Sequence, residues 1–142
     1  MSRFSSSIAS PPLQEIGGPS RVRVTGNLPA RLDGKQPIFL RDGERCWIVP
    51  VTDIAMLESQ GNYTRIYFGP NSPTLYRSLK DLQGRLDPSI FFRANRQIII
   101  NLHFIKEIQP WANGGFLVRL TRGNEVQVSR RQAHILKHQL AL

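Results

Sequence analysis

From residue 36 onward the chain consists of short runs in which apolar and polar residues alternate. This two-residue period is typical of β-strands with one buried face, and in one run Phe116, Val118 and Leu120 fall on the same side. The pattern predicts nine strands, at 38–41, 46–51, 54–58, 63–68, 74–77, 97–100, 104–108, 115–120 and 125–128. They are separated by turn signals at 42–43, 61–62, 70–71, 113–115 and 122–124. Strands this short and closely spaced favour an all-β, antiparallel fold.

Only two segments have the residue spacing of an amphipathic helix. Ser78 can cap a helix over 79–86, and Ser129 can cap a second helix over 130–140. Each segment has three apolar residues spaced to form one buried face: Leu79, Leu82 and Leu86 in the first, and Ala133, Leu136 and Leu140 in the second. We therefore expect one or two short helices beside the sheets.

Residues 1–35 lack this periodicity and are rich in serine, proline and glycine. A segment of this composition buries too little apolar surface to fold on its own, so the sequence predicts a flexible basic arm over 1–35 and one domain over 36–142. The basic residues of the arm either contact phosphates or remain solvated; they are Arg3, Arg21, Arg23, Arg31 and Lys35.

Basic residues are distributed unevenly along the chain. Its 142 residues carry a formal net charge of +9, and residues 91–142 hold eight lysines and arginines against two acidic residues. A local positive field usually meets a polyanion, although it can also be an ordinary basic surface. Fifteen of the nineteen basic residues are arginines, whose forked guanidinium groups suit hydrogen bonding to bases and phosphates.

A polar turn between two strongly apolar strand segments is the first candidate for contact with a nucleic acid. It contains Arg93, Asn95, Arg96 and Gln97. A buried strand has no need of such an interruption, so we expect these side chains on a surface turn that the core holds rigid. Guanidinium and amide groups match the donors and acceptors of base edges. The turn therefore predicts DNA binding.

The start of the second predicted helix is a candidate anion site. Arg130 and Arg131 occupy its first turn, where the helix dipole disfavours cations. A phosphate bound there would compensate, because backbone donors and both guanidinium groups would converge on one anion.

Patterns of catalytic and metal-binding residues are missing from the sequence. His134 and His138 are four residues apart on the predicted helix, but no cysteine or acid lies within helix reach, so they are better read as surface histidines than as a metal pair. Cys46 is the single cysteine and is expected to be a small core residue and not a redox sensor. We expect no enzymatic activity, no metal and no cofactor.

The sequence also indicates the cellular compartment. It has no run of the roughly 18 apolar residues that a membrane span requires, and residues 1–12 lack the apolar core of a secretory signal. A lone cysteine fits a reducing environment. We therefore expect a cytoplasmic protein with no membrane partner.

Four ordered motifs carry a family resemblance. They are VTDIAMLESQGNYTRIYF at 51–68, RSLKDLQGRL at 77–86, FFRANRQIIINLHFIKEI at 91–108 and VQVSRRQ at 126–132. In order and spacing they resemble the LytTR (LytR/AgrA-type) DNA-binding domain of bacterial transcription regulators, over about residues 38–140. The commonest form of the third motif has histidine at the position of Asn95 and serine at that of Gln97, so we expect this chain to prefer a different DNA site.

The resemblance implies short antiparallel strands in more than one sheet and a domain that reads DNA through loops instead of a recognition helix. Three surface segments are implied to contact DNA. Carried over to this chain they are Gly61, Asn62, Tyr63 and Thr64 in the first, Arg93, Asn95, Arg96 and Gln97 in the second, and Ser129, Arg130 and Arg131 in the third. Arg96 and Arg131 are the strongest candidates for contact with base edges. Many relatives also carry a phosphorylation-receiver domain, for which the 35-residue arm is too short.

The sequence therefore predicts a sequence-specific regulator of transcription that binds double-stranded DNA, as two copies on paired repeats. A homodimer on DNA and a regulatory protein are further candidate partners. The alternative is an RNA-binding or protein-interaction module that uses the same basic loops without reading sequence.

Several candidate residues have a purely structural interpretation as well. Tyr63 can pack its ring in the core with the hydroxyl group outward. Arg93 can form an internal ion pair with Glu58 or Asp81. Asn101, which follows three isoleucines, is better explained as a turn former bonded to the backbone than as a base reader.

Overall fold

The computed structural model describes residues 28–33 and 36–141, and short strands make up most of it. The strands are β1 (Pro37–Asp42), β2 (Arg45–Pro50), β3 (Met56–Gln60), β4 (Tyr63–Tyr67), β5 (Thr74–Leu75), β6 (Phe91–Arg93), β7 (Ile98–Asn101), β8 (Ile105–Pro110), β9 (Phe116–Leu120) and β10 (Glu125–Val128). The helices are α1 (Leu79–Gln83) and α2 (Arg130–Gln139), and single 3-10 turns occupy Val51–Asp53, Leu102–Phe104 and Ala112–Gly114.

The strands form three antiparallel sheets. β1 and β2 make a two-stranded ribbon, β8, β9 and β10 make a three-stranded sheet, and the central sheet has five strands in the order β5-β4-β3-β7-β6. Every pairing between two of these strands is antiparallel. The predicted all-β, antiparallel architecture in more than one sheet is confirmed.

Two hydrophobic cores lie on opposite faces of the central sheet, because successive residues of a strand point to opposite sides. One face contributes Leu57, Phe91 and Ile99 to a core shared with the ribbon and α1. The other face contributes Met56, Phe92 and Ile100 to a core shared with the three-stranded sheet and α2. The domain is thus three layers thick, with the ribbon and α2 on opposite outer sides.

The structure differs from the predicted elements at a few positions. α1 ends at Gln83 instead of residue 86, with Gly84 as its C-cap. The second half of the predicted strand 74–77 leaves the sheet after Leu75, and β6 was not among the nine predicted strands. Cys46 is exposed on the outer face of the ribbon, so its prediction as a core residue is wrong: the alternation along β2 turns Val49 inward and Cys46 outward.

Part of the predicted arm is described and is packed. Leu28 and Leu32 are buried in the core next to α1, and the Leu32 amide donates to the Arg85 carbonyl at 2.6 Å. Residues 1–27, 34 and 35 lie outside the described residues, and so does the predicted boundary at 35–36. Neither helix within the described ranges has the length and apolar character needed to cross a membrane.

Asn101 is a fully buried polar residue at the end of β7. Its amide nitrogen donates to the carbonyls of Thr52 (3.0 Å) and Ile54 (2.8 Å), and its side-chain oxygen accepts from the His103 amide at 2.9 Å. These bonds tie the 3-10 turn before β3 to the turn after β7. The prediction of a backbone-bonded turn former is confirmed.

Candidate nucleic-acid interface

Strand pairing brings the first two predicted segments to the same end of the central sheet. β3 and β7 run antiparallel, with Glu58 opposite Ile98, and the Ser59 amide donates to the Gln97 carbonyl at 2.8 Å. The end of β3 therefore lies beside the start of β7. Because of this, the β3–β4 turn at 61–62 and the β6–β7 turn at 94–97 project from one edge.

The third segment joins this edge through hydrogen bonds from the end of β10 and the start of α2. Asn95 donates from its side-chain amide to the Gln127 carbonyl at 2.6 Å, and the Ser129 amide donates to the Ala94 carbonyl at 3.3 Å. Gln132 donates from its side chain to the Arg93 carbonyl. We call the combined surface of residues 61–63, 94–97 and 129–131 the loop edge.

Arg93 braces the β6–β7 turn from inside. Its guanidinium donates to the carbonyls of Asn95 (2.7 Å) and Arg96 (2.6 Å), and to the side-chain oxygen of Gln83. Burial lowers the pKa of the Arg93 guanidinium from its usual value, although arginine keeps its charge in proteins. All three guanidinium nitrogens are thus occupied by groups of the protein.

The internal ion pair considered for Arg93 does not form. Asp81 instead pairs with Arg77 (3.4 Å) and Arg85 (3.1 Å), and Glu58 accepts a hydrogen bond from the Tyr67 hydroxyl at 2.6 Å. The charge of Arg93 is therefore stabilised by carbonyl and amide dipoles instead of an acidic partner. The same hydrogen bonds fix the path of the turn.

Asn95 also directs its side chain into the protein. Its side-chain oxygen accepts from the Gln97 amide at 2.8 Å, an Asx turn that mimics a backbone turn, while its nitrogen reaches β10. Arg93 and Asn95 were both predicted to contact DNA. In the structure both side chains bond to groups of the protein beside Arg96 and Gln97, and their contact with DNA stays a prediction.

Two exposed arginines of the loop edge, Arg96 and Arg131, line one groove. Arg96, Gln97, Arg130 and Arg131 are exposed, and no salt bridge joins these arginines to an acid in the described ranges. A groove of about 620 Å³ is lined by Arg93, Asn95, Arg96, Gln97, Ser129, Arg131 and Gln132. Arg96 and Arg131, predicted from different segments, thus face the same space.

Ser129 caps α2 as predicted, since its hydroxyl oxygen accepts from the Gln132 amide at 3.3 Å. The first turn of α2 contains no acidic residue, so the positive end of the helix dipole and two arginines point the same way. The arrangement offers donors and positive charge to an anion. A bound phosphate at this position stays a prediction.

The β3–β4 turn supplies the exposed Asn62 and the half-buried Tyr63. The Tyr63 ring lies outside both cores and packs at a tilt against Tyr76, with 5.0 Å between ring centroids. The interpretation of Tyr63 as a core residue is therefore wrong. Thr64, by contrast, is fully buried and donates from its hydroxyl to the Arg77 carbonyl at 2.8 Å. The Thr64 side chain thus holds β4 against the segment after β5, and a DNA contact by Thr64 stays a prediction.

Three residues of this region were not found from the sequence. Tyr76 is exposed beside Tyr63 because β4 pairs with β5, and Gln127 contributes only its backbone carbonyl, so neither leaves a sequence signal. Gln132, by contrast, did leave a sequence signal. It stands three residues after Ser129, the spacing of a capping box, although its side chain bonds to the Arg93 carbonyl instead.

Replacing Arg93 by lysine tests the brace. Lysine keeps the charge, but one ammonium group cannot reach three acceptors arranged for a planar fork. We expect Arg93→Lys to lower the free energy of unfolding by about 1–2 kcal/mol and to weaken duplex binding about tenfold through a less ordered turn. Denaturant unfolding and fluorescence anisotropy measure the two effects. Arg119→Lys, which alters an exposed ion-pair residue, should leave the free energy of unfolding and the duplex affinity unchanged. If the two variants lost the same stability and affinity, the bracing role of Arg93 would be contradicted.

Several known proteins are similar to this chain in sequence. Residues 44–141 match the model of the LytTR family, described as the LytTr DNA-binding domain. The chain is 31% identical over 121 residues to the transcriptional regulatory protein YpdB of Escherichia coli K12, covering 83% of this chain and 50% of YpdB. It is 31% identical over 104 residues to the sensory transduction protein LytT of Bacillus subtilis, covering 73% of this chain and 43% of LytT. The chain spans about half the length of these curated relatives.

A solved structure gives the same fold. A LytTr DNA-binding domain from Bacillus cereus superposes with a TM-score of 0.70 and 27% sequence identity, covering 77% of this chain and 100% of that one. The family model alone matches well over half of the sequence. This chain therefore belongs to the LytTR family of DNA-binding domains.

Proposed function

We propose that this chain is a sequence-specific regulator of transcription that reads double-stranded DNA through the loop edge. The observation that carries the proposal is the convergence of three separate segments on one edge, with exposed arginines facing a single groove. The match to the LytTR family model covers all three segments, which lie within residues 44–141. The protein acts by binding and has no part in catalysis.

We assign the residues different roles according to the surface on which they lie. Arg96 and Arg131 contact base edges, where a forked guanidinium can bond two acceptors of one guanine. Ser129 and Arg130 bind phosphate at the start of α2. Asn62, Tyr63 and Gln97 contact the flanks of the site. Arg93 and Asn95 support the others from within.

Rigidity of the β6–β7 turn favours sequence reading over loose attraction. The turn is fixed by the hydrogen bonds of Arg93 and Asn95, so little conformational entropy is lost when DNA binds. A mobile arginine neutralises phosphate equally well on any sequence, whereas a fixed one discriminates between base pairs.

Duplex DNA suits the structure better than single-stranded RNA. Proteins that bind single strands stack bases on aromatic residues of an open surface. Both faces of the central sheet are covered by the two cores here, and the aromatic pair of Tyr63 and Tyr76 stands at the loop edge instead. We therefore place RNA or protein binding second.

Two copies on paired repeats complete the proposal. One loop edge is narrow and reads only a few base pairs, and the discrimination needed in a genome comes from joining two such sites. A cytoplasmic location and a regulatory protein partner are consistent with this role.

Selection from a random pool of duplex DNA at near-physiological salt tests the proposed function. Several rounds of binding and sequencing should enrich a short motif, present twice at a fixed spacing. The double variant Arg96→Ala/Arg131→Ala should enrich none. A pool that stays random with the unaltered protein and is retained only at low salt would contradict sequence reading.

A further inference from the structure

A small cavity lies behind the β6–β7 turn, on the side of α1, and we call it the α1 cavity. It has a volume of about 320 Å³, which is at the lower end of the range for small-molecule sites in proteins. Its lining combines buried apolar side chains with cationic and amide groups, and it includes Arg31, Gln83, Leu86, Phe91, Arg93 and Ile99.

Residues 28–33 close one side of the α1 cavity, and we call them the strap. The Arg85 guanidinium donates to the Leu28 carbonyl at 3.0 Å, and the Leu32 amide donates to the Arg85 carbonyl at 2.6 Å. Leu28 and Leu32 are buried next to α1, while Arg31 between them lines the cavity. The strap is thus bonded to the end of α1 and gives the cavity a fixed wall.

Among the described residues, Arg93 alone lines both the α1 cavity and the groove of the loop edge. Its Nε and Nη2 atoms donate to the carbonyls of Asn95 and Arg96, whereas Nη1 donates to the side chain of Gln83. A guanidinium group has five N–H donors, so these three bonds leave one N–H on Nη1 and one on Nη2. The side chain that fixes the β6–β7 turn can therefore bond to a further acceptor.

The positive charge of the α1 cavity comes from two arginines, and none of the residues that line it is acidic. Arg31 pairs with Asp33 at 3.6 Å and lies near Asp87, so its charge is already compensated. Arg93 forms no salt bridge in the described ranges. Burial lowers the pKa of its guanidinium, as expected of a charge that has lost hydration without gaining an acidic neighbour. Arg93 is therefore the cation of this cavity that lacks an acidic partner.

We infer that the α1 cavity binds a small organic acid, whose carboxylate bonds to the Arg93 guanidinium and whose apolar part lies against Leu86, Phe91 and Ile99. A carboxylate supplies both a negative charge and two acceptors for the remaining N–H donors. A neutral ligand would leave the charge uncompensated, and an inorganic anion would leave the apolar side chains without contact. The volume of the cavity restricts the ligand to a short-chain or single-ring acid.

Regulation of DNA binding follows from this site, and this step rests on the proposed function. The carboxylate competes for a guanidinium that also fixes the β6–β7 turn, and a pair of opposite charges bonds more strongly than an arginine with a neutral carbonyl. The occupied cavity therefore loosens the turn that carries Arg96, and the bound negative charge opposes the approach of phosphates. The acid and duplex DNA weaken each other's binding by the same factor, expected to be about fivefold or more.

An amide chemical-shift titration of the full chain without DNA tests the site. The probes are benzoate, hexanoate and 3-phenylpropionate, each compared with its neutral amide as a control for charge. At least one acid should bind with a Kd of about 1 mM or tighter, and its amide should bind about tenfold more weakly. The largest changes in shift should fall at residues 31, 83–86 and 91–93.

Gln83→Glu is the variant that blocks the site. Gln83 is exposed and its side-chain oxygen accepts a hydrogen bond from Arg93, so the new carboxylate takes the charge of the guanidinium for itself. The affinity for the acid should fall about tenfold or more. Gln109→Glu makes the same chemical change on β8 and should bind the acid as the unaltered protein does.

Three results would overturn the site. The first is that none of the three acids binds at about 10 mM. The second is that each acid binds no more tightly than its amide. The third is that Gln83→Glu and Gln109→Glu bind the acid equally well, with changes in shift centred on the loop edge.

Anisotropy titrations of the selected duplex, with and without a saturating concentration of the acid, test the regulatory step. The unaltered protein should bind the duplex about fivefold more weakly in the presence of the acid, and Gln83→Glu should show no such change. Equal duplex affinity with and without the acid would refute the regulation but not the site. A chain that bound the acid but selected no DNA sequence would refute the proposed function alone, so the two proposals fail separately.

Discussion

Arg96→Ala is expected to abolish discrimination at one base pair of the selected site while leaving general affinity for duplex DNA in place. The guanidinium stands exposed on a turn that Arg93 and Asn95 hold fixed. A bidentate contact with a base contributes about 1–3 kcal/mol of discrimination. Binding to the preferred duplex should therefore weaken by that amount, and binding to a duplex altered at the same base pair should change little. Anisotropy titrations with duplexes altered at each position in turn measure the difference.

Arg130→Ala is the matched control for Arg96. It removes the same exposed guanidinium from the start of α2, where we propose phosphate contact. It should weaken binding uniformly across all duplexes and lower the slope of log affinity against log salt by about 1. If Arg96→Ala showed this same uniform, salt-dependent loss, Arg96 would be a phosphate contact and direct reading at this turn would be refuted.

Asn101→Ala is expected to cause the largest loss of stability. The substitution removes hydrogen bonds to two carbonyls and one amide. Asn101 is fully buried, and its bond to the Ile54 carbonyl lies in the interior. Each buried polar group left without a partner costs about 1–3 kcal/mol, so we expect a loss of about 2–4 kcal/mol in the free energy of unfolding. Urea unfolding should show a lower midpoint with an unchanged slope.

Asn62→Ala provides the comparison for Asn101. Asn62 is an exposed asparagine of the β3–β4 turn, and exposed substitutions usually change stability by less than about 0.5 kcal/mol. Similar losses in the two variants would mean that the turn around Asn101 tolerates the missing hydrogen bonds, which would contradict its role as the tie between β3 and β7.

The sequence was sufficient to predict most of the architecture. Alternation of apolar residues located β9 and β10, and the serines at 78 and 129 marked the first residues of both helices because a cap leaves a local signature. β6 was expected only as an apolar strand segment before the polar turn and received no bounds, because three residues are too few to show a period. Cys46 was misplaced because alternation alone does not tell which side of a two-stranded ribbon meets the core.

The sequence predicted which residues belong to the candidate site, but not which of their side chains are buried and which are exposed. Exposed arginines could be expected in a polar turn, yet the sequence does not distinguish Arg93, which bonds to carbonyls of its own turn, from Arg96 three residues later. Thr64 and Tyr76 depend on the pairing of β4 with β5. Such pairings between distant residues determine which side chains are buried and which are free to reach a ligand.

Amide chemical-shift mapping with the selected duplex tests the location of the interface most directly. A chain of 16.1 kDa is well suited to it. We predict that the largest changes in amide ¹H and ¹⁵N shifts fall at residues 61–63, 95–97 and 129–132, together with the side-chain signals of Arg96 and Arg131. Changes centred on the ribbon or on the Ala112–Gly114 turn, with the loop edge unaffected, would contradict the proposed interface.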